Sequence, residues 1–133
     1  MTVIAPVIIS MSESTFKVGL DNYEQSVSSA KFVPTTPIAS FTGIGGTTTS
    51  AAGAPTWVLT LTFAQDWLTA NSLSNYLMDN KGTTKVVQLA PVGGGTAFDA
   101  TVLIVASDIG GDANSLATAS VTLTVIGAPS LAG

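Results

Sequence analysis

The chain contains no cysteine, no histidine and no arginine in 133 residues. Zinc sites, thiol nucleophiles, haem ligation through either residue and Ser-His-Asp triads all need side chains that are missing. Without arginine the cations reduce to Lys17, Lys31, Lys81 and Lys85, set against eight carboxylates for a formal net charge of −4. So few positive groups cannot cover a phosphate backbone, because affinity there grows with the number of phosphates neutralised. Charge of either sign is scarce. It makes up 9% of the chain, against about 25% in ordinary soluble domains. Long hydrophobic runs are absent too: "VIAPVIIS" from Val3 and "TVLIVAS" from Thr101 are strand-length, short of the ~18 residues of a membrane helix. No basic stretch precedes the first apolar residues, as it would in a secretory signal. Synthesis and folding in a cytoplasm are the expectation.

What is present is regular structure. Apolar residues make up 46% of the chain, which excludes disorder of the low-hydropathy, high-charge kind and supplies one domain with a core. "TFKVGL" from Thr15 alternates, "DNYE" reads as a turn, and "QSVSSAKFVP" reads as a second strand that Pro34 stops and that pairs with the first as a hairpin. "PIASFTGI" extends the same sheet, and "GGTTTSAAGAP" after it is a long loop without periodicity. In "TWVLTLTF", Trp57, Leu59, Leu61 and Phe63 share a core face, while Val58, Thr60 and Thr62 take the other. Past an "AQDW" corner, Ser72 caps a short helix whose packing face is Leu73, Tyr76 and Leu77, with Trp67 alongside, and Gly82 provides a left-handed terminus. "TKVVQLAP" and "FDATVLIVAS" are strands joined by the glycine-rich "VGGGTA". The last strand, "ATASVTLTVIGAP", sets Val121, Leu123 and Val125 on the core face. Many short strands and one helix predict a mainly β fold, an antiparallel β-sandwich or barrel with one flanking α-helix.

Each chemical motif has a plainer reading. "GIGG" and "GGG" lack phosphate-loop spacing and context and read as turns. "NKGTTK" ends a helix. Asp108, Asp112 and Asn114 in "SDIGGDAN" lack calcium-loop spacing and read as a solvated turn. Asp66 has no partner for acid–base work and reads as a hydrogen-bonding corner. Trp57, Phe63 and Trp67 would need basic company to bind single strands, so core and interface packing is the better reading. No cofactor, metal or catalytic site is expected. A surface so poor in charge has little protection from association, and the simplest account is that much of it is interface.

The order "FKVGLDNYEQSVSSAKFVPTTP", "TWVLTLTFAQDW", "SLSNYLMDNKG", "GGGTAFDATVLIV" and "IGGDANSLATASVTLTVIGAP" resembles the tail tube proteins of long-tailed, non-contractile bacteriophages over residues 15 to 129. The resemblance implies a structural virion protein rather than an enzyme, assembled in the host cytoplasm. It implies hexameric rings stacked into a tube that passes double-stranded DNA without binding it specifically, with tape measure, tail terminator and distal tail proteins as partners. Residues 15–133 read as one tail-tube β-sandwich domain, and residues 1–14, outside the resemblance, read as an N-terminal arm laid on a neighbour. The long loop, about 43–56, would then reach a neighbouring ring through Gly45, Gly46, Thr47, Thr48, Thr49, Ser50, Ala51 and Gly53. Two rivals share the strand pattern: an exported fibre or pilin-like module, and a small-ligand β-barrel with a closed apolar cavity.

Overall fold

The computed structural model describes residues 2–11, 13–91 and 96–131. The "GGG" turn at 93–95 lies outside them. The elements in chain order are β1 (Thr15–Val18), β2 (Asp21–Asn22), β3 (Val27–Thr35), β4 (Ile38–Thr42), β5 (Thr48–Ala52), β6 (Thr56–Ala64), α1 (Leu73–Asp79), β7 (Thr84–Ala90), β8 (Phe98–Leu103) and β9 (Thr118–Leu131). Seven strands form one antiparallel sheet in the order β2-β1-β7-β8-β9-β6-β3, while β4 and β5 pair only with each other. The sheet curls into a half-barrel, and its concave face is the core.

The curl is made by β9. Thr118–Thr124 pair with β6, and from Val125 onward the same strand pairs with β8. Two residue steps on β8, Asp99 to Thr101, are matched by four on β9, Ser130 to Ile126. Gly127 lies inside this bulge with φ of 85°, a backbone state that glycine adopts without a steric penalty. Along β6 and β9 the period-2 pattern holds: Leu59, Leu61, Phe63, Val121, Leu123 and Val125 are all buried, while Trp57 is half-buried at the rim. Phe16 and Val18 of β1, Val87 and Leu89 of β7, and Val102 of β8 complete the concave face.

The strands expected to form the first hairpin do not meet. β1 pairs with β7 in the register Phe16↔Leu89 and Val18↔Val87, whereas β3 pairs with β6 in the register Ala30↔Leu61 and Phe32↔Leu59. They occupy opposite sides of the sheet order. The cause lies in "DNYE", which is not a tight turn: Asp21 and Asn22 fold back on β1 as the two-residue β2. Tyr23 is then buried, its N–H donating to the Phe16 carbonyl at 2.8 Å, and the chain turns through Tyr23–Ser26 toward the far edge. Pro34 does not stop β3 either. It sits opposite Trp57 on a strand with only one neighbour, where a missing N–H costs no ladder bond.

Helix α1 begins as the sequence predicts. Ser72 is the N-cap, its Oγ accepting from Asn75 N at 3.4 Å, and Leu73 and Leu77 are buried in the same core as the strands. The helix proper stops at Asp79 with Asn80 as C-cap, and Gly82, at φ of 85°, turns the chain into β7 while its N–H donates to Ile104 O at 2.8 Å. Tyr76 packs on the core edge and meets Tyr23 with ring centroids 6.0 Å apart at 54°. Tyr23 Oη donates to the Asn71 carbonyl at 2.9 Å, so the helix entry is tied to the crossing segment.

With seven residues α1 is too short to stand alone, and its stability comes from this packing. Leu77→Ala should lower unfolding free energy by about 2–5 kcal/mol, as deletion of a fully buried leucine side chain does; an unchanged urea midpoint would show that the helix contributes nothing to the cooperative fold. Burial, then the Asp21 carboxylate, push the Tyr23 phenol from 10.0 up to about 12. The folded state keeps a proton that the unfolded chain releases, so this contribution is complete below pH 10 and is lost as pH rises toward 12. Tyr23→Phe should flatten the fall in melting temperature across that window, and identical alkaline profiles for the two proteins would contradict it.

Candidate assembly surfaces

The segment expected to be a long loop is largely a β-hairpin. β4 and β5 pair from Ile38↔Ala52 to Thr42↔Thr48, with Gly43 to Thr47 as the tip. Gly45 and Gly46 lie in that tip, Thr47 leads out of it, Thr48, Thr49, Ser50 and Ala51 belong to β5, and Gly53 donates from its N–H to the Pro37 carbonyl at 2.8 Å at the base. The hairpin continues β3 and β6 outward, but the register changes from Thr35↔Thr56 to Ile38↔Ala52, so the side with Gly53 carries one extra residue. Low-complexity Thr, Ser and Ala conceal the pairing in the sequence, because neither face contrasts with the other in hydropathy. One face is a hydroxyl ladder, with Ser40 and Ser50 Oγ 2.9 Å apart and Thr42 and Thr48 Oγ1 3.0 Å apart. Every residue of both strands is exposed, including Ile38 and Phe41, and Ile44 at the tip is fully so. A two-stranded hairpin alone is marginal in water.

A second surface is the convex side of β3, β6 and β9. Pairing places Ser29, Thr62 and Ser120 in one row, Lys31, Thr60 and Thr122 in the next, and Val33, Val58 and Thr124 in a third. Thr62 Oγ1 and Ser120 Oγ lie 3.2 Å apart. Threonine suits such a face because its β-branched side chain favours strands while its hydroxyl stays wet. The single charge within these rows is Lys31.

The "AQDW" corner is more specific than its sequence indicates. Asp66 Oδ1 accepts from Leu68 N at 3.0 Å and Thr69 N at 3.1 Å, and Asp66 N donates to Ser74 Oγ at 3.2 Å. Hydrogen bonds from Thr69, side chain first, and from the Leu68 N–H hold the Asp66 carboxyl below its ordinary range. That is a structural corner rather than an acid–base pair. Sequence reasoning missed Gln65. Its Oε1 accepts from Trp67 Nε1 at 3.1 Å and Gly110 N at 2.9 Å, and its Nε2 donates to Gly110 O and Thr118 O, both at 2.8 Å. Trp67 is thus half-buried and held by Gln65, outside the core that Leu73 and Leu77 share. The same amide pins the loop between β8 and β9, which carries Asp108, Asp112 and Asn114. Among the described residues no group of three His, Cys, Asp or Glu side chains could hold a metal ion, and no helix is long and apolar enough to cross a membrane. Gln65→Leu should release this loop: amide exchange at Gly110 should rise at least ten-fold, with a loss of about 1 kcal/mol in stability. Unaltered protection at Gly110 would mean the loop is held elsewhere.

No family model matches the chain, and no curated protein does. Solved structures do. One is the sheath/tube terminator of an extracellular contractile injection system, PVC, in its extended state, with TM-score 0.64, 12% identity and coverage of 99% of this chain and 100% of that one. Another is the tube-terminating cap of the anti-feeding prophage, with TM-score 0.63, 10% identity and coverage of 99% and 95%. At such identities the likeness is one of fold. The fold is thus the one found in a tube terminator of a contractile injection system and in a tube-terminating cap; the non-contractile tail tube proteins that the sequence was expected to match are not specifically supported.

Proposed function

We propose that this chain is a structural, non-enzymatic subunit of a phage-tail-like tube assembly, in which copies associate through the β4–β5 arm and the surfaces around it. The observation that carries this reading is the arm itself: ten strand residues, five in each of β4 and β5, paired with each other and exposed throughout. Its backbone is paired but none of its side chains is buried, so it is suited to contact with another surface. Fold likeness to two tube-terminating proteins, over nearly the whole of each chain, supports the same reading.

Within it, the finer assignment is a hexameric ring, with the arm, Gly45 to Gly53 included, reaching the next ring or the next component of a particle. Two positions compete. A repeating tube subunit would pass double-stranded DNA without specific binding and would meet tape measure, terminator and distal tail proteins. A terminating ring would close the tube, as both structural neighbours do by their names, and this position is favoured. Lys31 also bears on the choice, since a bore lined by the hydroxyl face would carry one lysine per copy among the threonines, where each could hold a phosphate. That face is therefore assigned to contacts rather than to a conduit.

Electron microscopy of the purified protein should show rings, isolated if the chain terminates a tube and stacked if it repeats. Joining Pro37 directly to Gly53 by a Gly-Ser turn should leave the melting transition of the sheet intact and abolish association beyond one ring. A compact monomer of the full chain at every concentration would overturn the assembly reading; undiminished stacking of the shortened protein would overturn the role of the arm.

A further inference from the structure

The half-barrel is open along a seam between β3 and the strands on the β1–β7 side, and core residues show through it. An apolar groove of about 400 Å³ lies there, lined by Phe32, Trp57, Leu89, Phe98 and Pro129. The chain's own Ile9 and Met11 form one wall yet remain 56% and 50% exposed, so they do not fill it. Just before them runs the most exposed apolar segment of the protein: Val3, Ile4, Val7 and Ile8 are each 84–89% exposed, and no charged residue occurs before Glu13.

We propose that residues 2–8 of one copy occupy this groove in a second copy. The inference rests on the assembly reading above and supplies its contact. Groove and segment are complementary in chemistry, both apolar and both uncharged apart from Lys31 among the lining residues. In its own copy the segment does not fill the groove: Val3, Ile4, Val7 and Ile8 stay exposed although Ile9 forms part of the wall. Val7, Ile8 and Ile9 are consecutive β-branched residues, which favour extended chain and resist the reversal that a return would need. Pro6 holds Ala5 extended as well. An extended, exposed segment of this kind is available to a second copy. A patch on one part of a surface that fits a pocket elsewhere on the same surface makes a head-to-tail contact, which closes into a ring or propagates.

The absence of cysteine makes the test clean. Single variants Val7→Cys and Pro129→Cys, mixed and oxidised at concentrations where microscopy shows assembly, should give a disulfide-linked dimer in several-fold greater yield than Val7→Cys mixed with Thr84→Cys. Ile4→Cys in place of Val7→Cys covers the adjacent register. The double variant Val7→Cys/Pro129→Cys should form a ladder of linked chains. A double variant that closes only within one chain would overturn the inference, as would assembled protein that yields no linked dimer with either arm position; in that case the assembly reading would stand. Loss of both assembly and cross-linking would remove both. As a second readout, 8-anilinonaphthalene-1-sulfonate should bind protein lacking residues 2–8 several-fold more strongly than the assembled full chain, and equal binding would show that the groove holds a small apolar ligand or nothing.

Discussion

Everything in this molecule depends on one strand serving two partners. The first half of β9 pairs with β6 and the second half with β8, so the bend near Val125 turns what would be a flat sheet into a curl with an inside. Val121, Leu123 and Val125 stand on both sides of that bend and are all buried. At about 1.5–3 kcal/mol for each large aliphatic side chain removed from water, the row formed with Leu59, Leu61 and Phe63 outweighs any polar interaction in the fold. Helix α1 is recruited by the same inside: its Leu73 and Leu77 are buried in the same core as the strand residues. The bulge at Gly127 is the local device that permits this, because two extra residues on one strand force a bend that regular pairing would not allow.

A half-barrel solves the core and leaves an edge problem. A closed barrel has no edges; this sheet ends at β3 on one side, and the features without a partner gather around that strand. The β4–β5 arm grows from its far end, the apolar groove lies beside Ala30 and Phe32, and the hydroxyl face runs across its back. The scarcity of charge suits the assembly proposed above. Threonine and serine make faces that are compatible with water and with another protein alike, whereas a field of lysines and carboxylates would have to be desolvated on contact, at a cost that pairing only partly offsets. Lys31 on β3 and Asp21 on β2 are exceptions, charges on the two edge strands, where a charge deters uncontrolled pairing.

Legibility in the sequence followed the range of the interaction. Strand faces such as Leu59/Leu61/Phe63 and the Ser72 cap of α1 could be read because they depend on neighbours two to four residues away. Pairing could not. β1 and β3 look like a hairpin by proximity, yet each finds its partner far along the chain, through registers set by the curl. The arm was legible as a segment free of the core, and its strands were hidden because "TTSAA" has no hydropathy contrast to alternate. Gln65 is the clearest miss. A glutamine beside an aspartate and a tryptophan announces nothing locally, and its role exists only because β9 brings Thr118, and the loop brings Gly110, to within 2.8–2.9 Å of its amide.

The kind of contact that β3 can make is limited by its own residues. An incoming strand could extend the sheet along Val27–Val33, but Pro34 offers no N–H to continue the ladder and Lys31 adds a charge to the outer face. Hydrogen-bonded continuation at this edge is thus short at best. What remains is side-chain docking, and the chain carries two pieces suited to it: an arm of paired strands with Phe41 and Ile44 exposed, and a single extended segment with Val3, Ile4, Val7 and Ile8 exposed. The two differ in stiffness. The paired arm holds its shape by its own backbone bonds and can set a distance between copies, while the single segment must be ordered by the surface it meets and gives up conformational entropy in doing so. In the assembly proposed above, spacing would then fall to β4–β5 and closure to the segment, so that geometry and strength of association would rest on different parts of the chain.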